Sequence, residues 1–231
     1  EKSKAVFVMI DHHRQPESYA RFMYSDASMS STCEMVFNFI NFLSGTHLID
    51  ADIATCLYTG IMTDTGNFRF PSTTAETHKV TATLIDKGAK PSEIYNAVFD
   101  TNTPERLKLL GRALNNMVVL DHLNTAYITL SKTELEEFKF KKGDTEGFVN
   151  YGLSLKGIKL AVFFAENTTG EQFVKISFRS KGNFDVNTFA REHFNGGGHM
   201  NAAGGKSAET IENTLNRFLE LLKSYKKELS A

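Results

Sequence analysis

The sequence predicts an α/β protein of two domains, and three observations carry that prediction. The 231 residues exceed the roughly 100 to 200 typical of one domain. A short apolar run near the start reads as a buried parallel strand ending in polar residues. The texture then changes near residue 116 from helical periodicity to β-branched and aromatic runs. Composition supports a packed core: 41% hydrophobic and 11% aromatic residues with only 4 Pro exclude disorder, collagen and a disulfide miniprotein.

Residues 5–10, Ala-Val-Phe-Val-Met-Ile, form the first strand and run into Asp11-His12-His13. An edge strand or a helix turn is the alternative for this stretch. From there to residue 116 the strong patterns are helical. Ser30 or Ser31 can cap a helix bearing Met35, Val36, Phe39, Ile40 and Leu43, closed by Gly45. Asp50 or Asp52 can start the next, with Ile53, Leu57 and Ile61 on one face. Helices follow at 74–87, 91–99 and 104–116, punctuated by Gly88 and Pro91. A lone buried strand cannot make a sheet, so its partners are expected outside these residues, with the chain beginning inside a domain. After Asn116, strands are expected at 117–120, 125–130, 158–165 and 173–178, and helices at 132–139, 145–154, 185–193 and 208–227. The division is therefore 1–103, a linker helix at 104–116, and a second domain at 117–231.

Charge and cysteine content narrow the functional classes. A net charge of −1 offers no field for a long polyanion, so a nucleic-acid ligand should be short or gripped locally. Two cysteines, Cys33 and Cys56, are too few for a disulfide scaffold and fit a reducing, cytoplasmic setting. No apolar run reaches the roughly 18 residues that span a membrane. Lys141-Lys142, Lys223 to Lys227, His47, His78 and His122 read as solvated surface, and the methionines as packing.

Three segments could carry chemistry. Asp11, His12 and His13 sit at the carboxyl end of a strand, where open α/β folds bind ligands. One histidine can ligate a metal while its neighbour faces a substrate, and Asp11 can orient an imidazole through a ring N–H. The second segment is Thr63-Asp64-Thr65-Gly66-Asn67-Phe68-Arg69-Phe70, where a helix gives way to a turn. Asp64 is either a turn residue or, converging on His12, half of an N/O donor set suited to Mn²⁺ or a similar divalent ion. Phe68 and Phe70 alternate as in a strand.

The third segment is Gly196-Gly197-Gly198-His199, continuing through Gly204-Gly205. Three consecutive glycines are costly to order, so beyond a flexible surface loop the reading is bare amides approaching phosphate oxygens, with His199 beside them. Ser177-Phe178-Arg179-Ser180 ends a strand just ahead and offers a guanidinium with two hydroxyls as a phosphate clasp.

Together, in this order and spacing, the Asp11 triad, the Asp64 segment, the Ser177 to Ser180 tetrapeptide and the glycine run resemble the DHH phosphoesterase family with a C-terminal DHHA1 domain. The branch most similar is the small stand-alone bacterial one that combines oligoribonuclease activity with dephosphorylation of 3′-phosphoadenosine 5′-phosphate. The resemblance implies a doubly wound parallel-sheet DHH domain, of which residues 1–103 are the C-terminal part, followed by a smaller α/β DHHA1 domain that binds substrate. It implies two Mn²⁺ ions, His12 and Asp64 as ligands of one of them, His13 on the scissile phosphate and Asp11 orienting the site. Ser177, Arg179, Ser180, Gly196, Gly197, Gly198 and His199 would hold the phosphate or nucleotide end, with reaction between the domains. The implied partners are short single-stranded oligonucleotides or nucleotide bisphosphates and a second copy in a homodimer. The family's acidic Asp-x-Asp-x-x-Gly motif and a second Asp-bearing strand are not among these residues, and are expected upstream. Rival activities are dinucleotide phosphodiesterase and exopolyphosphatase, and, from another class, a non-catalytic nucleotide-binding module.

Overall fold

The computed structural model describes residues 4–13 and 16–230, and the chain divides into two compact units, residues 1–101 and 102–231. The α/β class holds in both.

In the first unit, β1 (Val8–Asp11) lies parallel to β2 (Phe22–Ser25), in register from Val8 opposite Phe22 to Asp11 opposite Ser25. This corrects two expectations. A second strand exists before residue 116, at Phe-Met-Tyr-Ser, too short for its alternation to stand out. Nor is β1 buried: Met9 is, but Val8 and Phe22 are each 56% exposed.

Four helices build this unit's core. In α1 (Thr32–Phe42), Ser31 is the cap, its hydroxyl accepting from the Glu34 amide. Met35 and Phe37 are buried, whereas Phe39 and Leu43, placed on the apolar face by periodicity, are exposed. Asp50 caps α2 (Ala51–Asp64) by accepting from Ile53 N at 2.9 Å. Leu57, Tyr58, Ile61 and Met62 of α2 pack with Val80 and Leu84 of α3 (Ala75–Asp86) and Ile94 of α4 (Pro91–Phe99).

Glycine sets how closely α1 and α2 cross. A Cβ on Gly60 would lie 2.1 Å from Cys33 Sγ, so only the bare backbone admits that sulfur. Gly60→Ala is therefore expected to cost about 1–3 kcal/mol by overpacking. Chemical denaturation measures it, and adding Cys33→Ala should recover part of the loss.

The second unit carries a mixed six-stranded sheet in the order β3-β4-β5-β6-β8-β7. Its strands are β3 (Val118–Leu120), β4 (Thr125–Leu130), β5 (Leu160–Glu166), β6 (Val174–Ser180), β7 (Gly197–His199) and β8 (Ala202–Ser207). Only the β4/β5 pair is parallel. The glycine run is thus an edge strand and tight hairpin rather than a loop. The expected strands at 117–120, 125–130, 158–165 and 173–178 appear within one or two residues of their limits, but β8, rich in Ala and Gly, gave no apolar signal.

Alternation along β5 sorts its residues onto two cores. Leu160, Val162 and Phe164 join Ile176 and Phe178 of β6, with Phe189 of α8 (Val186–His193) and Phe218 and Leu222 of α9 (Ile211–Ser224). Ala161, Phe163 and Ala165 face the other way, with Leu109 and Ala113 of α5 (Pro104–Asn115) and Phe148 of α7 (Phe148–Ser154). The helix read as a linker is therefore packed into this unit. Between β4 and α7, Ser131 and Glu134 form a capping box at the start of α6 (Lys132–Glu137). The last predicted helix breaks at Tyr225, and α10 (Lys226–Ser230) follows. Among the described residues, no helix is long and apolar enough to cross a membrane.

Candidate active-site residues in each unit

In the first unit, the end of β1 and the end of α2 bring His12 and Asp64 together. His12 Nε2 stands 3.6 Å from Asp64 Oδ2, with the imidazole mostly buried and the carboxylate 46% exposed. That distance is too long for a hydrogen bond and short enough for two donors to share one small cation. One imidazole nitrogen and one carboxylate oxygen form a borderline donor set that fits Mn²⁺ better than a soft ion. Asp64 is the last residue of α2, so the helix's unpaired carbonyls add negative potential where a cation would sit.

The chain after Asp64 is locked into reversal rather than strand. Gly66, Asn67 and Phe68 all take positive φ, 56°, 62° and 63°. For Phe68 that is an uncommon, strained state. Thr65 Oγ1 supports it, accepting from Phe68 N at 3.0 Å while donating to the Ile61 carbonyl at 2.7 Å. The strand-like alternation of Phe68 and Phe70 is thereby corrected: Phe68 packs beside Tyr58 and His78, and the Phe70 ring covers Gly66, where a Cβ would fall 2.5 Å away.

The two histidines have separate supports. His12 Nδ1 bonds the Met29 carbonyl at 3.2 Å. His13 Nδ1 bonds Asp11 Oδ1 at 2.7 Å, and the same oxygen accepts from the His13 amide at 3.2 Å. Asp11 thus orients His13. The bond from the His13 ring holds the Asp11 carboxyl below its ordinary value, against the desolvation that pushes it up.

In the second unit, sheet register collects most of the expected clasp on one face. Ala161, Arg179, Ala202 and His199 stand in one row across β5, β6, β8 and β7, and Phe163, Ser177, Gly204 and Gly197 in the next. Lys175 and Lys206 face each other a further two residues along. Phe173, Lys175, Ser177, Gly196, Gly197 and Lys206 line a cavity of about 350 Å³. Lys206 Nζ lies 5.2 Å from the Phe173 ring centroid. Burial draws the Arg179 guanidinium below its ordinary value while the Glu146 charge opposes the shift, and it remains cationic at any physiological pH. Period-2 spacing from Ser177 is the sequence signal for Lys175, whereas Lys206 joins the face only through the pairing of β6 with β8.

Three expected clasp residues are used otherwise. Ser180 is buried on the opposite face, donating to the Phe184 carbonyl at 2.7 Å and accepting from Asn201 at 2.9 Å. Gly196 N is bonded to the Ala190 carbonyl and Gly198 N to Asn187 Oδ1, so neither amide is bare. What demands glycine there is backbone approach: a Cβ on Gly196 would stand 1.9 Å from the Gly204 carbonyl oxygen, and one on Gly198 2.5 Å from that of Ala202.

Both units resemble known proteins. Residues 1–61 match the DHH family, N-terminal domain, and residues 123–228 the DHHA1 domain. A bifunctional oligoribonuclease and PAP phosphatase NrnA of Bacillus subtilis is 33% identical over 205 residues, covering 87% of this chain and 63% of the relative. The Thermus thermophilus protein of the same name is 32% identical, covering 85% and 57%. A solved exopolyphosphatase-related protein from Bacteroides fragilis superposes with a TM-score of 0.92 at 42% identity, covering 97% of this chain and 65% of that one. The chain thus spans 57% to 65% of these relatives' lengths. With both domains matched in order along the chain, it belongs to the DHH family and carries a DHHA1 domain.

Proposed function

We propose that this protein hydrolyses phosphoester bonds in short oligonucleotides and in 3′-phosphoadenosine 5′-phosphate, using two Mn²⁺ ions. The observation that carries the reading is the approach of His12 Nε2 to Asp64 Oδ2 at 3.6 Å. Bound there, divalent cations would supply charge neutralisation and Lewis-acid polarisation at the phosphoryl group. His12 and Asp64 hold a cation, and Asp11 keeps the His13 ring turned so that its Nε2 is the atom offered to a phosphate oxygen. Ser177, Arg179, Lys175 and Lys206 on the sheet face of the second unit hold a phosphate of the substrate through charge-assisted bonds. Two relatives named as oligoribonuclease and PAP phosphatase support this substrate class.

The test, on the full-length gene product, is release of mononucleotides from a 5′-labelled trinucleotide, and of phosphate from the bisphosphate, with Mn²⁺ and then with excess EDTA. Turnover with Mn²⁺ alone is expected. The facing lysines and the exopolyphosphatase-related neighbour favour inorganic polyphosphate as a second reading, so it is assayed in parallel. Failure on all three, with nucleotide binding retained, would leave a non-catalytic nucleotide-binding module.

Arg179→Ala should raise KM about 10- to 100-fold, the size of one lost charge-assisted bond, with kcat little changed. An unaltered KM in steady-state kinetics removes Arg179 from the clasp.

A further inference from the structure

Glu34 is 2% exposed and lies outside the chemistry described so far. Its position, three residues after the Ser31 cap, is that of a capping box, in which the carboxylate returns to the cap's own amide. Only the Ser31 half is made, its Oγ accepting from Glu34 N at 3.0 Å. The carboxylate instead takes two hydroxyls on one oxygen: Ser30 Oγ, and Thr77 Oγ1 at 2.9 Å from α3. Thr77 is itself fixed, accepting from Thr74 N at 3.1 Å. Burying a carboxylate is costly unless it is hydrogen-bonded, and capping α1 requires only Ser31, so the cap does not account for it.

Ser30 follows Met29, whose carbonyl receives His12 Nδ1. A carbonyl has lone pairs only, so Nδ1 carries the hydrogen, and in the neutral ring the lone pair falls on Nε2, the atom facing Asp64. We propose that Glu34 is a positioning residue. By tying Ser30 to α3 it fixes the Met29–Ser30 peptide, selects the Nδ1–H tautomer of His12 and points the ring's lone pair at the cation position. Its bearing on metal rests on the function proposed above; its bearing on the tautomer does not.

The experiment is a long-range ¹H–¹⁵N correlation of the histidine rings in the metal-free protein, at a pH where they are neutral, with His12 assigned by loss of its signals in His12→Gln. Mn²⁺ binding is followed by electron paramagnetic resonance. In the wild type, His12 should be protonated at Nδ1. Glu34→Ala should move the ring to mixed or Nε2–H protonation and weaken Mn²⁺ binding about 10- to 100-fold, as loss of a ligand's support does. Glu34→Gln, whose amide oxygen can still accept both hydroxyls, should restore both. If Glu34→Ala does not fold, Ser30→Ala removes the hydroxyl that joins the Met29–Ser30 peptide to Glu34 and should shift the tautomer in a folded protein. Nε2–H protonation in the wild type, or an unchanged ring signal in the folded variant, overturns the proposal. A tautomer that responds in a protein that binds no Mn²⁺ overturns the proposed function instead.

Discussion

Asp64→Asn is expected to lower metal-dependent turnover by at least about 100-fold, since loss of a supporting group alone costs metal sites about 10- to 100-fold. The substitution keeps the shape of the side chain and removes its charge. Because the carboxylate is half exposed and its ion-pair contact with His12 is as long as 3.6 Å, folding stability should stay within about 0.5 kcal/mol. Loss of turnover with a preserved thermal transition separates a ligand from a structural residue. The check is Mn²⁺ titration by paramagnetic resonance beside the trinucleotide assay. Retained activity would take Asp64 out of the ligand set and return it to the role of a turn residue.

Gly196→Ala should have the largest effect in the second unit. Its methyl would meet backbone on every near approach: the Gly204 oxygen at 1.9 Å, the Gly205 Cα at 2.7 Å and the Gly204 carbonyl carbon at 2.9 Å. No side chain can swing aside, so β7 must lift from β8 or the hairpin must open. A loss of about 1–3 kcal/mol or more is expected, together with weakened nucleotide binding as Gly197 and His199 leave their rows. By contrast, Gly111→Ala, whose Cβ meets nothing within 4 Å, should be stable and bind normally. Chemical denaturation and equilibrium binding of a nucleotide distinguish the two. If Gly196→Ala is as stable as wild type, the glycine run is not held as a packed strand.

These contrasts show where local sequence is informative. Helices α1 to α5 were readable because their caps and periodicity are local properties: Ser31, Asp50 and Thr103 each accept from the amide three residues on. β5 was readable because it buries a continuous apolar run, and β4 and β6 because β-branched and aromatic residues recur along them at strand spacing. β2 and β8 were not, since a four-residue strand and an Ala/Gly strand hold their places through partner strands. The Phe68 segment misled for a related reason: alternation of aromatic residues says nothing about sign of φ, which Thr65 and Gly66 decide.

The same division runs through the functional residues. By itself the sequence determined the chemical types available and their order along the chain: two adjacent histidines after a strand, a carboxylate at a helix end, an arginine on a strand and a run of glycines. Only the tertiary structure decided which atoms meet. It placed Asp64 against His12 and Asp11 against His13, set Ser180 on the opposite face from Arg179, and brought Lys206 opposite Lys175. Side-chain chemistry is carried residue by residue, whereas a pairing 52 residues apart, as between His12 and Asp64, exists only once helices pack and strands fall into register.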